Sequence, residues 1–472
     1  MTTQPPGRAL PALGLLLLGC GAEPRTLTIE VVPGREAAAF QEDPPVARIE
    51  VTAEAVEGDV AVSASAPPGG SLDFGEIPAD RAYTFEVRGE DAGGAAVVRG
   101  RSVSGIYLAA VVGEVLPLFA QRAGRWARPP GQLAASRVGA PGAALAERFV
   151  VLTGGAAAGD VDPARLDAYD LAVWGGSASG GALPRAARSL VARGDVVLAL
   201  DDEGATWADV ATGETAEVPL PDGLSSFAEV AGGRTIEATD GRSFVVGATR
   251  SGPSAGAPDQ PAGAPGPAAD VVLVVGADRK LSVVRLREAR AGAAAVWVEG
   301  VGLVVAGGSA TGAGLEVLGD GATTFAPRPF PPDPTWGAGA AVTAPGEIAL
   351  VGGVLEGAAA PTRRLAPGCA GASCAAVALE GAALPAALAG VAAFALPGGR
   401  MLAVGNEAAA GADGLTRSFV VDLAAARAEE LPLREPRRGA TAVPAPNGTL
   451  ALLGGVHPDG TPALAIETFF PE

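Results

Sequence analysis

Histidine and cysteine are almost missing from this chain: 472 residues contain one histidine, His457, and three cysteines. Histidine is the commonest general base and transition-metal ligand, so a catalytic triad or a metal centre has almost nothing to be built from. A nucleophile motif and a phosphate-cradling glycine loop are missing as well, and no cofactor is expected. Aromatic residues make up only 4%, so the core must come from the small aliphatic side chains that dominate the 48% hydrophobic content. No basic run offsets the net charge of −18. Phosphate backbones would be repelled, which excludes nucleic acid as a partner and reads most simply as a well-hydrated surface. What the chain has in quantity is 68 glycines and 40 prolines, a composition for many short strands joined by tight turns. Its length is too great for one small domain.

At the N-terminus Arg8 precedes an apolar segment, residues 9–18, that is too short to span a bilayer as a permanent helix and fits a secretory signal. The run Leu17-Leu18-Gly19-Cys20 resembles a bacterial lipobox. That resemblance implies a signal peptide over 1–19, acylation of Cys20 through its thiol, and a lipidated tether over 20–24. Gly21 in place of an aspartate implies the outer membrane. The alternative is an ordinary signal peptide with an incidental cysteine.

Residues 25–112 alternate apolar and polar positions, as in Thr26-Leu27-Thr28-Ile29-Glu30-Val31, Ala47-Arg48-Ile49-Glu50-Val51 and Tyr83-Thr84-Phe85-Glu86-Val87. This period of two predicts half-buried strands. Five to seven of them separated by turns such as Pro67-Pro68-Gly69-Gly70 predict a β-sandwich of immunoglobulin or fibronectin-like architecture, without the cysteine pair of a true immunoglobulin domain. It is expected to act as a spacer lifting the rest off the membrane.

From 113 to 472 one phrase recurs: a turn glycine, an apolar run of strand length, and a closing glycine or glycine pair. The clear copies end at Gly308, Gly353, Gly405 and Gly455, steps of 45, 52 and 50 residues. An earlier copy ends at Gly155, and weaker ones lie over 194–200 and 241–247, making seven. Such a period points to propeller blades. The apolar strand ending in Gly-Gly resembles the kelch family, which implies a kelch-like β-propeller of about seven blades. The family's Tyr and Trp after the glycines occur here only as Tyr169 and Trp174. A segment of Gly, Pro, Ala and Ser over 251–269 is read as a flexible insert within a blade. The last copy supplies three strands, and residues 114–119, followed by Gly124-Arg125-Trp126, are expected to complete it and close the ring.

Few constellations carry chemistry. Cys369 and Cys374 are expected to form a disulfide in an exported protein. The stretch from Asp202 to Trp207 resembles an Asp-box, which implies a braced hairpin away from any active site. Asp160, Asp162 and Asp167 have the spacing of a weak calcium site but read more simply as a solvated turn. His457 is expected on an exposed loop and Trp297 in the core. Trp126, beside Arg125 and Arg128, and Trp336, after Pro331-Pro332-Asp333-Pro334, are the candidate ligand contacts, for sugar or protein.

These features predict a non-enzymatic, membrane-anchored propeller that binds an envelope protein or glycan through its loops. The alternative is an extracellular propeller enzyme. A glycosidase needs only two carboxylates, which 52 acidic residues supply in plenty, whereas a copper oxidase resembling galactose oxidase needs histidines the chain lacks.

Overall fold

A computed structural model describes residues 28–471, apart from 59, 75–76, 79, 112–114, 160, 251–264, 370, 372–373 and 409–413. Cys20, with the signal and tether segments, lies outside the described residues. The described chain is all-β and built from many small antiparallel sheets.

The N-terminal region centres on one antiparallel sheet. Its strands run Ala61–Ala66, Arg48–Ala55, Ala82–Glu90, Ala96–Arg101 and Gln121–Arg122 in spatial order. Alternation works as expected in Ala82–Glu90, where Tyr83, Phe85 and Val87 are buried and Glu86 and Arg88 are exposed. The second layer, however, is reduced to a two-stranded parallel pair, Thr28–Val32 with Val115–Phe119. This corrects the expected role of 114–119. Leu116, Leu118 and Phe119 are buried in the N-terminal core, and Pro117, which has no N–H to give a ladder, sits in a sheet of only two strands.

After Trp126, the described residues form seven four-stranded antiparallel sheets. Their first strands are Gly142–Leu145, Ser189–Arg193, Arg234–Glu237, Ala294–Val298, Gly339–Ala344, Leu388–Leu396 and Thr441–Pro444. Each copy of the repeated phrase is the second strand of one sheet, from Phe149–Leu152 in the first to Leu450–Leu453 in the seventh. The fourth strand of the seventh sheet is Trp126–Ala127, paired Phe469↔Trp126 and Thr468↔Ala127. The insert falls between Ser243–Val246 and Ala269–Val275, adjacent strands of the third sheet.

The glycine pairs show why the phrase ends as it does. Gly308 and Gly455 have φ of 71° and 87°, and a Cβ there would come within 2.7 Å of Ala291 O and 2.5 Å of Arg438 O, in the segment leading into the same sheet. Their amides reach onward to the next sheet. Gly308 N–H donates to Thr335 O at 2.8 Å, Gly353 N–H to Leu388 O at 3.0 Å, and Gly455 N–H to Arg137 O at 2.8 Å. The last of these carries the seventh sheet to the segment that leads into the first.

Apolar contact follows the same path. Leu145, Val151, Leu190 and Val197 join the first two sheets, and Leu402, Val404, Leu450 and Leu452 join the last two. The N-terminal region is not held at a distance. Its Tyr83, Phe85 and Phe119 share one buried cluster with Tyr169 and Trp174 of the first sheet and Val443 and Leu453 of the seventh. Phe119 meets Trp174 edge-on at 5.2 Å between centroids, and Trp174 Nε1–H donates to Pro117 O at 3.1 Å. Tyr169 and Trp174 of this sheet are therefore spent on docking the N-terminal region.

Candidate functional site

The strand ends that carry the glycine pairs also carry most of the buried charge among the described residues. Arg290, the last residue of the third sheet's outer strand Leu281–Arg290 and four residues ahead of the fourth sheet, is fully buried and pairs with Glu316 on the fourth sheet's third strand at 3.0 Å. It also donates to Gly307 O at 2.9 Å and Ala313 O at 2.6 Å. Arg437 does the same in the seventh sheet, with Glu467 at 2.9 Å and Ala465 O at 2.8 Å. Arg137 repeats it in the first sheet with Asp167, which Arg165 also grips at 2.6 Å. The fifth sheet reverses the charges: Asp333 lies in the entering segment and Arg363 on the third strand, at 2.6 Å. Each pair ties entering segment to third strand, and its charges find their partners inside the protein. Burial pushes the Glu467 carboxyl up, against the Arg437 charge and the amides of Arg434 and Glu435.

Sequence reasoning passed over these pairs, although a signal existed: an arginine four or five residues before the first strand in four sheets, of which Arg185 in the second pairs with Asp201 instead of a third-strand acid. Asp167, grouped in sequence with Asp160 and Asp162, is one of the locked acids and does not face a loop. Asp162 accepts from Ala164 N–H at 2.9 Å in an exposed turn, and Asp160 lies outside the described residues. Among the described residues there is no group of three or more His, Cys, Asp or Glu arranged to hold a metal ion.

The two candidate tryptophans separate. Trp126 is 1% exposed, and its Nε1–H donates to Ser418 Oγ at 2.8 Å while the ring packs on Phe469. Its reading as an exposed contact is corrected: as an outer strand closing a sheet, it needs its ring inward against the neighbouring sheet. Trp336 is half-buried in the segment entering the fifth sheet. Its main chain is fixed by two bonds with Val354, N–H to O at 3.1 Å and back at 2.8 Å. Beside it Gly292 leaves no room for a side chain, since a Cβ there would lie 2.9 Å from Trp336 Cβ. Trp297, expected in the core, is also half-buried, stacked on Phe244 at 5.8 Å with Arg242 over its ring.

Cys369 and Cys374 are joined in a disulfide, with Cys374 buried among the apolar residues of the fourth and fifth sheets. In the Asp-box-like hairpin the bracing residue is Asp201, whose Oδ1 accepts from Glu203 and Gly204 N–H at 2.8 and 3.0 Å. Asp202 instead accepts from Arg188. Beside this turn lies a hollow of about 310 Å³ lined by Arg185, Glu203, Glu217, Leu220, Ser225 and Phe227. His457 is partly exposed on the loop after Gly455, its Nδ1 3.1 Å from Pro436 O. Among the described residues no helix is long and apolar enough to cross a membrane.

One position along the first strands sets the third sheet apart. The residues paired with the last position of the second strand are Gly142, Ser189, Ala294, Gly339 and Thr441 in the first, second, fourth, fifth and seventh sheets. In the third sheet the equivalent residue is Arg234, opposite Val246. Its Nη2–H donates to Val391 O, 2.6 Å away in the first strand of the sixth sheet. Burial lowers its pKa to about 10.

No family model and no curated protein matches the chain. Solved structures similar to it include a streptogramin B lyase, at 11% identity and a TM-score of 0.45 over 71% of this chain and 95% of that one. A fungal alcohol oxidase in complex with copper is similar at 13% identity and a TM-score of 0.37, over 74% of this chain and 77% of that one. A mitotic checkpoint complex chain is similar at 8% identity and a TM-score of 0.45, over 74% of this chain and 95% of that one.

Proposed function

We propose that the chain is a kelch-like β-propeller of seven blades, held at the cell envelope by a lipid on Cys20, that binds a protein or glycan through the loops at its glycine-pair end. Ring closure is supported by the Gly455–Arg137 hydrogen bond, which repeats between the seventh and first sheets the contact that Gly308 makes from the fourth to the fifth. The pairing of Trp126–Ala127 onto the third strand of the seventh sheet supports it further, because it leaves that sheet four strands like the others.

The observation that carries the binding role is Trp336: a large aromatic, part exposed, on a backbone fixed by two hydrogen bonds. A rigid aromatic surface is what a sugar ring or a protein side chain stacks on at little entropic cost. The test is binding of the full chain to envelope glycans and peptidoglycan fragments, with and without Trp336→Ala. Saturable binding lost in W336A, with the melting curve kept, supports the module. Binding unchanged by the substitution removes Trp336 from the role, and turnover of a glycoside that stops on Glu203→Gln or Glu217→Gln favours the hydrolytic alternative at the hollow those residues line. Lipid anchoring is tested separately by fatty-acid labelling in cells, which Cys20→Ser is expected to abolish; label retained in that variant would overturn the anchor.

A further inference from the structure

We infer that Arg234 anchors a binding site for a small oxyanion, a carboxylate or a sulfate-like group, at the mouth of the channel enclosed by the proposed ring. The channel rests on the seven-blade reading; the contact between Arg234 and Val391 does not.

The first argument is position. Third and sixth sheets are not neighbours along the chain of contacts, so a side chain that joins their first strands crosses the space between them. Around that space the equivalent residues in five of the other six sheets are Gly142, Ser189, Ala294, Gly339 and Thr441, none larger than threonine, and in the sixth the residue so paired is the apolar Leu388, opposite Glu407. Ser189 Oγ–H is already committed to Gly233 O at 2.8 Å and Thr441 Oγ1–H to Ala140 O at 2.5 Å. The mouth is thus ringed by small, apolar or satisfied groups, with one guanidinium extended across it.

The second argument is the balance of donors. A guanidinium has five N–H donors and prefers a bidentate carboxylate or phosphate-like partner. The buried arginines of this protein find theirs internally: Arg290 and Arg437 hold carboxylates, and Arg122 donates to the carbonyls of Ala39, Glu42 and Pro44. Among the described residues Arg234 has one acceptor, a neutral carbonyl, and no carboxylate beside it. Arg234 is half-buried, so a counter-charge from solution can still reach it. In a chain with 52 acids and 34 bases, a carboxylate partner would have been easy to supply. Leaving it out keeps Nε–H, Nη1–H and the second Nη2–H of the guanidinium available to an anion from solution.

The experiment is isothermal titration of the full chain with sulfate and, in a separate arm, with acetate and a short dicarboxylate, at ionic strength held constant with chloride. The expected result is one saturable site in the low-millimolar range or tighter, weakened at least tenfold in Arg234→Met and retained in part in Arg234→Lys. The arm that binds more tightly identifies the source of the oxyanion. Absence of saturable binding in the wild-type protein, which needs no variant to fold, overturns the proposal and leaves Arg234 as a tie between two sheets. Equal binding in wild type and R234M overturns it as well. Neither failure touches ring closure, which is read from amide exchange.

Discussion

Two arginines of the third sheet, Arg290 at the end of its outer strand and Arg234 at the start of its first, are used in opposite ways, one towards the fourth sheet and one towards the sixth. Arg290, at the end of the third sheet's outer strand, reaches into the fourth sheet and is satisfied there by Glu316 and two carbonyls. Arg234 sits on the first strand itself and reaches out to a carbonyl of the sixth sheet. The first holds a loop in place whether or not anything binds. The second leaves charge available. A buried cation with its partner inside the protein is a structural element, and a half-buried one without a counter-charge is where an external anion gains most.

The largest effect should come from breaking the satisfied pair. Arg290→Met leaves Glu316 buried without its counter-charge and is expected to cost roughly 3–5 kcal/mol, seen as a marked drop in melting temperature or denaturant midpoint. Arg234→Met, by contrast, is expected to shift the midpoint by less than about 1 kcal/mol, since it removes one hydrogen bond to a neutral carbonyl. Equal effects would erase the distinction between the two arginines. Replacing both partners, Arg290→Met with Glu316→Leu, should recover much of the loss, because the cost lies in the orphaned charge.

The fifth sheet sharpens the comparison. Its reversed pair, Asp333–Arg363, keeps 15% and 13% side-chain exposure, whereas Arg290 and Glu316 keep 0% and 1%. Solvent screens it more, so Asp333→Asn is expected to cost about 1–2 kcal/mol, between the surface and buried limits. A loss as large as that of R290M would mean that burial is not what sets the size of the effect.

How much of this was legible beforehand follows from which signals are local. The second strands could be read because their apolar runs recur at a near-constant period, and in the first, fourth, fifth and seventh sheets they end in glycine pairs with positive φ that only glycine fills without strain. The disulfide was legible from two nearby cysteines. The closing strand was not: Val115–Phe119 and Trp126–Ala127 are both short and apolar, and only tertiary pairing decides which joins Glu467–Phe469. Trp126 was misplaced for a related reason. Arg125 and Arg128 flank it in sequence, but on a strand the neighbours at even and odd spacing face different ways, so flanking charge says little about the ring. Arg234 carries no sequence signature at all, since its meaning comes from the small residues that occupy its position in five other sheets.

The smallest expected effect is a pH dependence in the third sheet. Glu229 caps the short turn Phe227–Glu229 and accepts from the Ser225 hydroxyl, the Ser225 and Ser226 amides and Arg285, which hold its carboxyl down to about 2 from 4.5. A folded-state value below the unfolded one stabilises the fold above the unfolded value and loses that contribution as pH falls through the folded one. Glu229→Gln should therefore be slightly less stable than wild type above pH 4.5, with the two curves converging as pH falls toward 2. A gap that widens in acid would contradict the assignment.

The most direct test of the account is amide hydrogen exchange across the proposed closure, followed by mass spectrometry on the full chain. Ring closure predicts that peptides carrying Trp126–Ala127 and Glu467–Phe469 are protected to the same degree as Leu450–Leu453, the second strand of the same sheet. Fast exchange in 126–127 with slow exchange in 450–453 would mean an open edge at that sheet, and would contradict the closed ring on which the channel and its arginine depend.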